Sequence, residues 1–327
     1  MRMESDTFDE LDLRLLDALE INGRASFSRI GAVLGVSDQT VARRYRRLCA
    51  EGGLRVVAVR DAQRLGQDHW TLRLRCVPDS APAIADALAK RPDTSWIGLA
   101  AGGTEIIFGT RPRSAGDRDD LLLGKLPRTP RVLEIHAHQM LHRFYGGPSG
   151  WLRKFAVLSD DEVAALRPRH GPAAPEPARI EPEDEPLLAV LERDGRATHP
   201  ELQRATGRSE SAVKRRLAAL FASGAVYVDV EYHSEILGYP TAAVLWITTS
   251  PAALHRVGQA LAAHDEIAHA AATAGPSNII ATAVVRSTAD LYAYLSGPLG
   301  RLEGVQHVEA SPFLRRVKQL TYPSPAR

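Results

Sequence analysis

Residues Asp12 to Val57 align without a gap on Asp184 to Asp229, an offset of 172, and 17 of the 46 pairs are identical. The shared positions include Leu15-Leu16 with Leu187-Leu188, Gly23-Arg24-Ala25 with Gly195-Arg196-Ala197, Ser37 with Ser209, Arg43-Arg44 with Arg215-Arg216, and Gly52 with Gly224. Shifted by one residue, the register continues downstream: Leu88 meets Leu261, Val132 meets Val305 and Arg143 meets Arg316. The chain must therefore fold as two copies of one unit of about 130 residues, joined by a connector.

The connector spans residues 144–182. Ser159-Asp160-Asp161-Glu162 has capping-box spacing and predicts a short helix through Leu166. Beyond it Pro168, Pro172, Pro175, Pro177 and Pro182 exclude helix and favour an extended, semi-rigid segment.

In the first copy Leu11, Leu15, Leu16 and Leu19 recur at helical spacing and stop at Asn22-Gly23. A second helix is predicted from Ser28 to Leu34. Gly35-Val36-Ser37 then forms a turn whose serine can cap a third helix, Asp38 to Ala50, because its hydroxyl accepts from an unpaired first-turn amide. Val41, Tyr45 and Leu48 line one side of that helix, and Arg43, Arg44, Arg46 and Arg47 occupy the rest. Gly52 ends it and Leu54 to Val59 reads as a strand. This is a helix-turn-helix pattern.

A polar N-terminal turn, here Asp38-Gln39-Thr40, can reach base edges while arginines meet phosphates. A single Arg-rich helix is more often a solvated face. The same cap, turn and preceding helices recur in the second copy, and that recurrence carries the nucleic-acid reading. The candidate DNA-binding residues are Ser37, Asp38, Gln39, Thr40, Arg43, Arg44 and Arg47, with Ser209, Ser211, Lys214, Arg215 and Arg216 in the second copy. The second head is expected to be the weaker. Its supporting helix offers Leu202, Ala205 and Thr206 where the first has Ile30, Val33 and Leu34, and Ala218 and Ala219 replace Arg46 and Arg47.

The rest of each copy alternates differently. Copy one reads as strand 70–77, helix 82–90, strand 96–101, strand 105–110, helix 117–126 and strand 132–140. Copy two reads as strand 241–248, helix 252–264, strand 267–273, strand 278–285, helix 289–299 and strand 305–310. The order βαββαβ is ferredoxin-like, with helices on one face of a sheet. The other face needs a cover, and a second such domain is the natural one. The fold class is α+β: two copies of a winged helix-turn-helix plus a ferredoxin-like domain. The blocks are 9–60 and 183–232 for the helix-turn-helices, 61–143 and 233–320 for the αβ domains.

These features together resemble the leucine-responsive regulatory protein/asparagine regulator (Lrp/AsnC) family of transcriptional regulators. The resembling motifs are Leu15 to Leu19 with Asn22-Gly23-Arg24, Leu34-Gly35-Val36-Ser37 leading into Val41, Arg44 and Leu48, and the glycine turn Gly102-Gly103-Thr104-Glu105. The resemblance implies that the helix-turn-helices bind double-stranded DNA and that the βαββαβ domains form at least dimers and bind a small effector, often an amino acid. Effector-binding candidates are Gly102, Gly103, Thr104 and Glu105, with Gly275, Ser277 and Asn278 in copy two, since glycine lets backbone amides approach an anionic group. Family members usually carry one unit per chain, so this one resembles a fused pair. The family's turn normally has Asp where Glu105 and Asn278 stand.

No cofactor or catalytic residue is expected. The chain has no dinucleotide fingerprint, P-loop or nucleophile elbow. His136, His138 and His142 lack the cysteines or carboxylates of a metal site, and none is predicted. Two cysteines, Cys49 and Cys76, give no disulfide framework. With 41 Lys plus Arg against 39 Asp plus Glu, global charge is silent about a polyanionic partner. An acidic amino terminus and no apolar run of spanning length predict a cytoplasmic protein with no membrane partner. A competing enzymatic reading comes from the siroheme decarboxylases, which resemble the same family and act as paired units. Their chemistry needs histidines and arginines at substrate carboxylates, for which His136, His138 and Arg143 are available.

Overall fold

The computed structural model describes residues 8–168 and 179–320. In chain order its elements are α1 (Glu10–Ile21), α2 (Phe27–Leu34), α3 (Asp38–Glu51), β1 (Arg55–Arg60), β2 (Trp70–Cys76), α4 (Ala81–Ala89), β3 (Thr94–Ala100), β4 (Glu105–Thr110), α5 (Ala115–Asp119) and β5 (Val132–Tyr145). They continue with α6 (Asp160–Leu166), α7 (Glu185–Leu191), α8 (His199–Thr206), α9 (Glu210–Ala222), β6 (Val226–Glu231), β7 (Thr241–Thr249), α10 (Leu254–Ala263), β8 (Ile267–Ala274), β9 (Ile279–Val285), α11 (Thr288–Tyr294) and β10 (Val305–Lys318). Two compact units result: the chain up to Leu65 with Gly147–Gly238, and Gly66–Gly146 with Tyr239 onward. Like parts of the two copies are thus grouped together.

The helical unit holds both helix-turn-helices. β1 pairs antiparallel with β6, and Val57 stands opposite Asp229, its own equivalent at offset 172. A pseudo-twofold axis therefore passes through that pair. The repeated Gly-Arg-Ala motif explains the join. Arg24 donates to the carbonyls of Gly195 and Ala197, and Arg196 donates in return to those of Gly23 and Ala25. Gly195 lies close against β1: a Cβ there would stand 3.0 Å from the Val56 carbonyl oxygen, so a larger residue would push the two copies apart by a few tenths of an ångström. Helix α6 starts at the Ser159 capping box that its sequence spacing predicts, and Asn22 Nδ2 donates to the Leu166 carbonyl at 3.0 Å, tying it back to the first head. The proposed extended segment at Pro172, Pro175 and Pro177 lies outside the described residues.

The barrel unit contains both αβ domains. Each supplies four strands in ferredoxin order, and the eight close into a barrel, β10-β3-β4-β2-β5-β8-β9-β7. Two outer cores lie under the helices, one built around Leu72, Leu74, Ile106 and Phe108 and the other around Leu245, Ile247, Leu261 and Tyr294. Strand alternation sends the intervening residues into the lumen, where Ala100, Ile107, Val244, Trp246, Ile280 and Phe313 pack together. The covered sheet face expected from the sequence is thus covered within one chain.

The terminal strands make the closure. β5 pairs first with β2 and then, from Gln139 to Tyr145, with β8. β10 pairs first with β7 and then, from Phe313 to Lys318, with β3. Sequence reading ends these strands at Met140 and Ala310, several residues early. Pro312 reads as a stop because it cannot donate to a ladder. It sits where β10 changes neighbour, between Ser311 opposite Val244 and Phe313 opposite Ala100. The predicted helices 117–126 and 289–299 each finish in a π-helical turn, at Asp120–Lys125 and at Leu295–Leu299.

Candidate functional site

The third helix of each head is set by the same local devices. Gly35 and Gly207 take left-handed φ values of 71° and 66°, which favours glycine at the end of α2 and of α8. Ser37 Oγ then accepts from the Thr40 amide at 3.1 Å, and Ser209 Oγ from the Ala212 amide at 3.4 Å. These caps place Asp38 and Gln39 of α3, and Glu210 and Ser211 of α9, on exposed first turns. Val41 and Leu48 are buried beneath α3, and Val213, Leu217 and Leu220 beneath α9.

The basic residues divide into two sets. Arg44 Nη1 lies 2.6 Å from Asp9 Oδ1 and 3.0 Å from Asp12 Oδ1, and Arg47 also pairs with the fully buried Asp12. The second head repeats this with Arg216 on the buried Asp184, and Arg208 stands 3.9 Å from the same carboxylate. Burial pushes Asp184 up, but the hydrogen bond from Arg216 and the Glu181 amide outweigh it, holding the carboxyl below its ordinary value. Arg44, Arg47 and Arg216 therefore fasten the third helix to the rest of its head. Arg43 and Arg215 are exposed and have no ion pair among the described residues, while Lys214 pairs along α9 with Glu210 at 2.5 Å. Sequence spacing could not separate the two sets, since Asp12 and Asp184 lie 32 residues before their arginines in both copies.

In the barrel unit the glycine turns differ. Gly102 and Gly103 have φ of 67° and 84° with open space where a side chain would stand, and Thr104 Oγ1 donates to the Ala101 carbonyl. Glu105 is buried, accepting from Arg73 Nε at 2.9 Å and Nη2 at 2.8 Å. The same guanidinium donates to Glu309 and lies over the Trp246 ring. In copy two, Asn278 brackets Thr249, accepting from its amide at 2.9 Å and donating to its carbonyl at 2.8 Å, and the Ser277 carbonyl accepts from Thr273. Gly275 abuts His138, leaving only 2.6 Å between a Cβ and His138 Nδ1. Glu105 and Asn278 are thus spent on internal contacts, and the accessible part of the first turn is its backbone.

Three family models match the chain in succession. An AsnC-type helix-turn-helix domain matches residues 8–48, a winged helix-turn-helix DNA-binding domain matches 187–226, and the Lrp/AsnC ligand-binding domain matches 242–323. Residues 8–48 and 242–323 thus match the two domains of the Lrp/AsnC family of transcriptional regulators, and the helix-turn-helix recurs at 187–226, as a tandem duplication requires. Its relatives include the HTH-type transcriptional regulator LrpA of Pyrococcus horikoshii, 26% identical over 42% of this chain and 99% of the relative. An uncharacterized HTH-type transcriptional regulator of Pyrococcus furiosus is 29% identical over 36% of this chain and 81% of its own length. Such relatives match about one copy's length. A solved structure of the siroheme decarboxylase NirDL has the fold of the whole tandem, with a TM-score of 0.63 at 12% identity, covering 97% of this chain and 95% of that one.

The chain also carries residues that sequence reading passed over. Arg24 and Arg196 join the heads. Glu20 accepts from the Tyr232 hydroxyl at 2.8 Å and the Leu152 amide at 3.0 Å, and burial first, then nearby Asp17 and Asp229, push its carboxyl up to about 8. In the barrel, His69, Arg111, Arg143 and His269 gather at one end of β4. Comparing the copies would have flagged two of these, since Ala242 and Val284 occupy the positions equivalent to His69 and Arg111 at offset 173.

Proposed function

We propose that this protein is a sequence-specific, cytoplasmic DNA-binding regulator that uses blocks 9–60 and 183–232 as a fixed pair of reading heads. Blocks 61–143 and 233–320 form its sensing and assembly part. The carrying observation is the pair of capped third helices joined through β1 and β6, each presenting an exposed polar first turn beside exposed cations, Arg43 on one and Lys214 and Arg215 on the other. The first turns would read base edges, and the exposed cations would meet phosphates. A small effector, an amino acid by family analogy, would bind at the Gly102–Thr104 turn and at Gly275–Ser277. Further association between chains would follow through the barrel. One chain supplies two heads, so a single polypeptide does what two single-unit chains do together.

The test is fluorescence anisotropy on fragments selected from the host genome, across a range of salt. Replacing Arg43 and Arg215 by Ala should weaken binding to all sequences and flatten the salt dependence by about one unit of slope per lost phosphate contact. Unchanged affinity and slope would remove the assignment.

A second reading, a tetrapyrrole decarboxylase, is favoured by one observation: Arg44, Arg47 and Arg216 are engaged inside the heads instead of being offered to DNA. The whole-chain fold is also that of NirDL. Mixing the protein with siroheme separates the readings, since a tetrapyrrole enzyme perturbs the absorption spectrum and a regulator of this design leaves it unchanged.

A further inference from the structure

At 3.6 residues per turn, successive side chains of a helix stand about 100° apart. On α3 that rotation gathers Gln39, Arg43 and Arg46 into a sector about 60° wide. The sector lies opposite Val41 and Leu48, which are buried beneath the helix. All three of its residues are exposed, so they form the stripe of α3 that stands furthest from the core of its head. On α9 the same stripe is Ser211, Arg215 and Ala218, again exposed and opposite the buried Val213 and Leu220. The arginine in the middle is common to both heads, and the residues on either side of it differ.

The other polar side chains of the two first turns are already committed. Asp38 Oδ1 accepts from the Gln39 backbone amide at 2.8 Å, and Thr40 Oγ1 lies 3.0 Å from Ser37 Oγ. In the second head Lys214 holds Glu210 at 2.5 Å, Ser211 Oγ lies 3.2 Å from Ser209 Oγ, and Ala212 brings no polar group. Gln39 is the exception, since its side-chain amide has no hydrogen bond among the described residues. It can therefore meet an outside partner without breaking an internal contact, and it is longer than the serine in its place on α9.

We propose, resting on the DNA-binding function given above, that Gln39 sets the base preference of this protein by reading an adenine in the major groove, and that the second head binds without a comparable preference. Adenine presents its N7 acceptor beside the N6 amino donor, and a glutamine side chain offers an amino donor beside a carbonyl acceptor, so the two meet through a pair of hydrogen bonds. Guanine presents two acceptors on the same edge and leaves the amide oxygen facing one of them. Serine's single hydroxyl both donates and accepts, and so discriminates poorly. Gln39 lies in the first turn, the part of a recognition helix that reaches base edges, and Arg43 follows one turn later to meet the backbone whatever the sequence.

Equivalence at offset 172 isolates the difference: Gln39 becomes Ser211 while Arg43 is kept as Arg215. The two halves of a bound site then differ in information. One half carries a fixed A·T pair, and the matching position of the other half tolerates all four base pairs.

The experiment selects duplexes from a randomised pool with the full chain. Wild type, Gln39→Ser and Ser211→Gln are then compared by fluorescence anisotropy on the enriched duplex and on copies carrying every other base pair at each position. Wild type should lose about 5- to 150-fold in affinity when one particular A·T pair in one half is changed, and part of that when only its adenine is replaced by 7-deazaadenine, which lacks the N7 acceptor. Gln39→Ser should bind all four base pairs at that position about equally. Its salt slope and melting temperature should stay those of wild type, which separates a lost base contact from a lost phosphate contact or an unfolded head. Ser211→Gln should create a preference for A·T at the matching position of the other half. If wild type enriches a duplex but Gln39→Ser keeps the same preference at every position, the assignment is overturned and DNA binding stands. An enriched site with no position that prefers adenine has the same consequence. A chain that enriches no duplex overturns the DNA-binding function itself, and the assignment with it.

Discussion

Glu20 shows how one half-buried carboxyl writes itself into the pH dependence of the helical unit. In the unfolded chain it ionises near the ordinary value of 4.5, whereas in the fold burial keeps it protonated up to about 8. Between those values the unfolded state holds fewer protons, so stability falls as pH rises through the window and levels off above it. Glu20→Gln removes that dependence and can keep both contacts, accepting from the Leu152 amide and donating to the Tyr232 hydroxyl. The variant should gain on the wild type by several degrees in melting temperature at about pH 9 relative to about pH 5. An unchanged difference at the two pH values would show that Glu20 is ionised in the fold. At the same scale, Arg196 stacks over Phe27 at 4.6 Å and Tyr45 at 5.4 Å besides donating to two carbonyls. Hydrogen bonds from charged donors contribute about 1.5–3 kcal/mol each. Arg196→Ala should therefore lower the melting temperature of the helical unit more than Arg24→Ala, which has no ring contact among the described residues. The repeat made these arginines visible, but their role was not, because Arg24 and Gly195 are 171 residues apart and only the paired arrangement brings them together.

Elements with local rules were legible and those defined by a distant partner were not. The caps at Ser37, Ser159 and Ser209 and the glycine ends at Gly35 and Gly207 follow from short-range chemistry, and sequence placed the helices beside them closely. The later halves of β5 and β10 pair with strands of the other copy, and nothing within Leu141–Tyr145 or Phe313–Lys318 names that neighbour. Likewise the split between fastening arginines and exposed ones depends on where α1 and α7 lie. The β10–β3 seam offers a direct test. A Cβ on Gly98 would stand 2.3 Å from the Phe313 ring, so Gly98→Ala must displace the ring or the strand. Overpacking of this kind costs about 1–3 kcal/mol, and Phe313→Leu in the same chain should restore part of the loss. If the double variant melts no higher than Gly98→Ala alone, the seam is not packed as described.

At the scale of the whole molecule, duplication has produced an internal pair whose members differ. The barrel closes by equivalent crossings, Phe313 opposite Ala100 and Met140 opposite Thr273, which are the same pair at offset 173. The heads are joined by equivalent arginine contacts. Against that symmetry, α2 buries Ile30 and Leu34 where α8 buries only Leu202, and exposed Ala218 and Ala219 stand in place of Arg46 and Arg47. Two heads of unequal core and charge should read an asymmetric site. The most direct measurement of the central claim is selection of host genomic fragments by the full chain, followed by footprinting and anisotropy with Arg43→Ala and Arg215→Ala. The account predicts an enriched site with unequal protected halves, and a greater loss of affinity from Arg43→Ala than from Arg215→Ala. A chain that enriches no fragment and shows no salt-dependent affinity for DNA would contradict it.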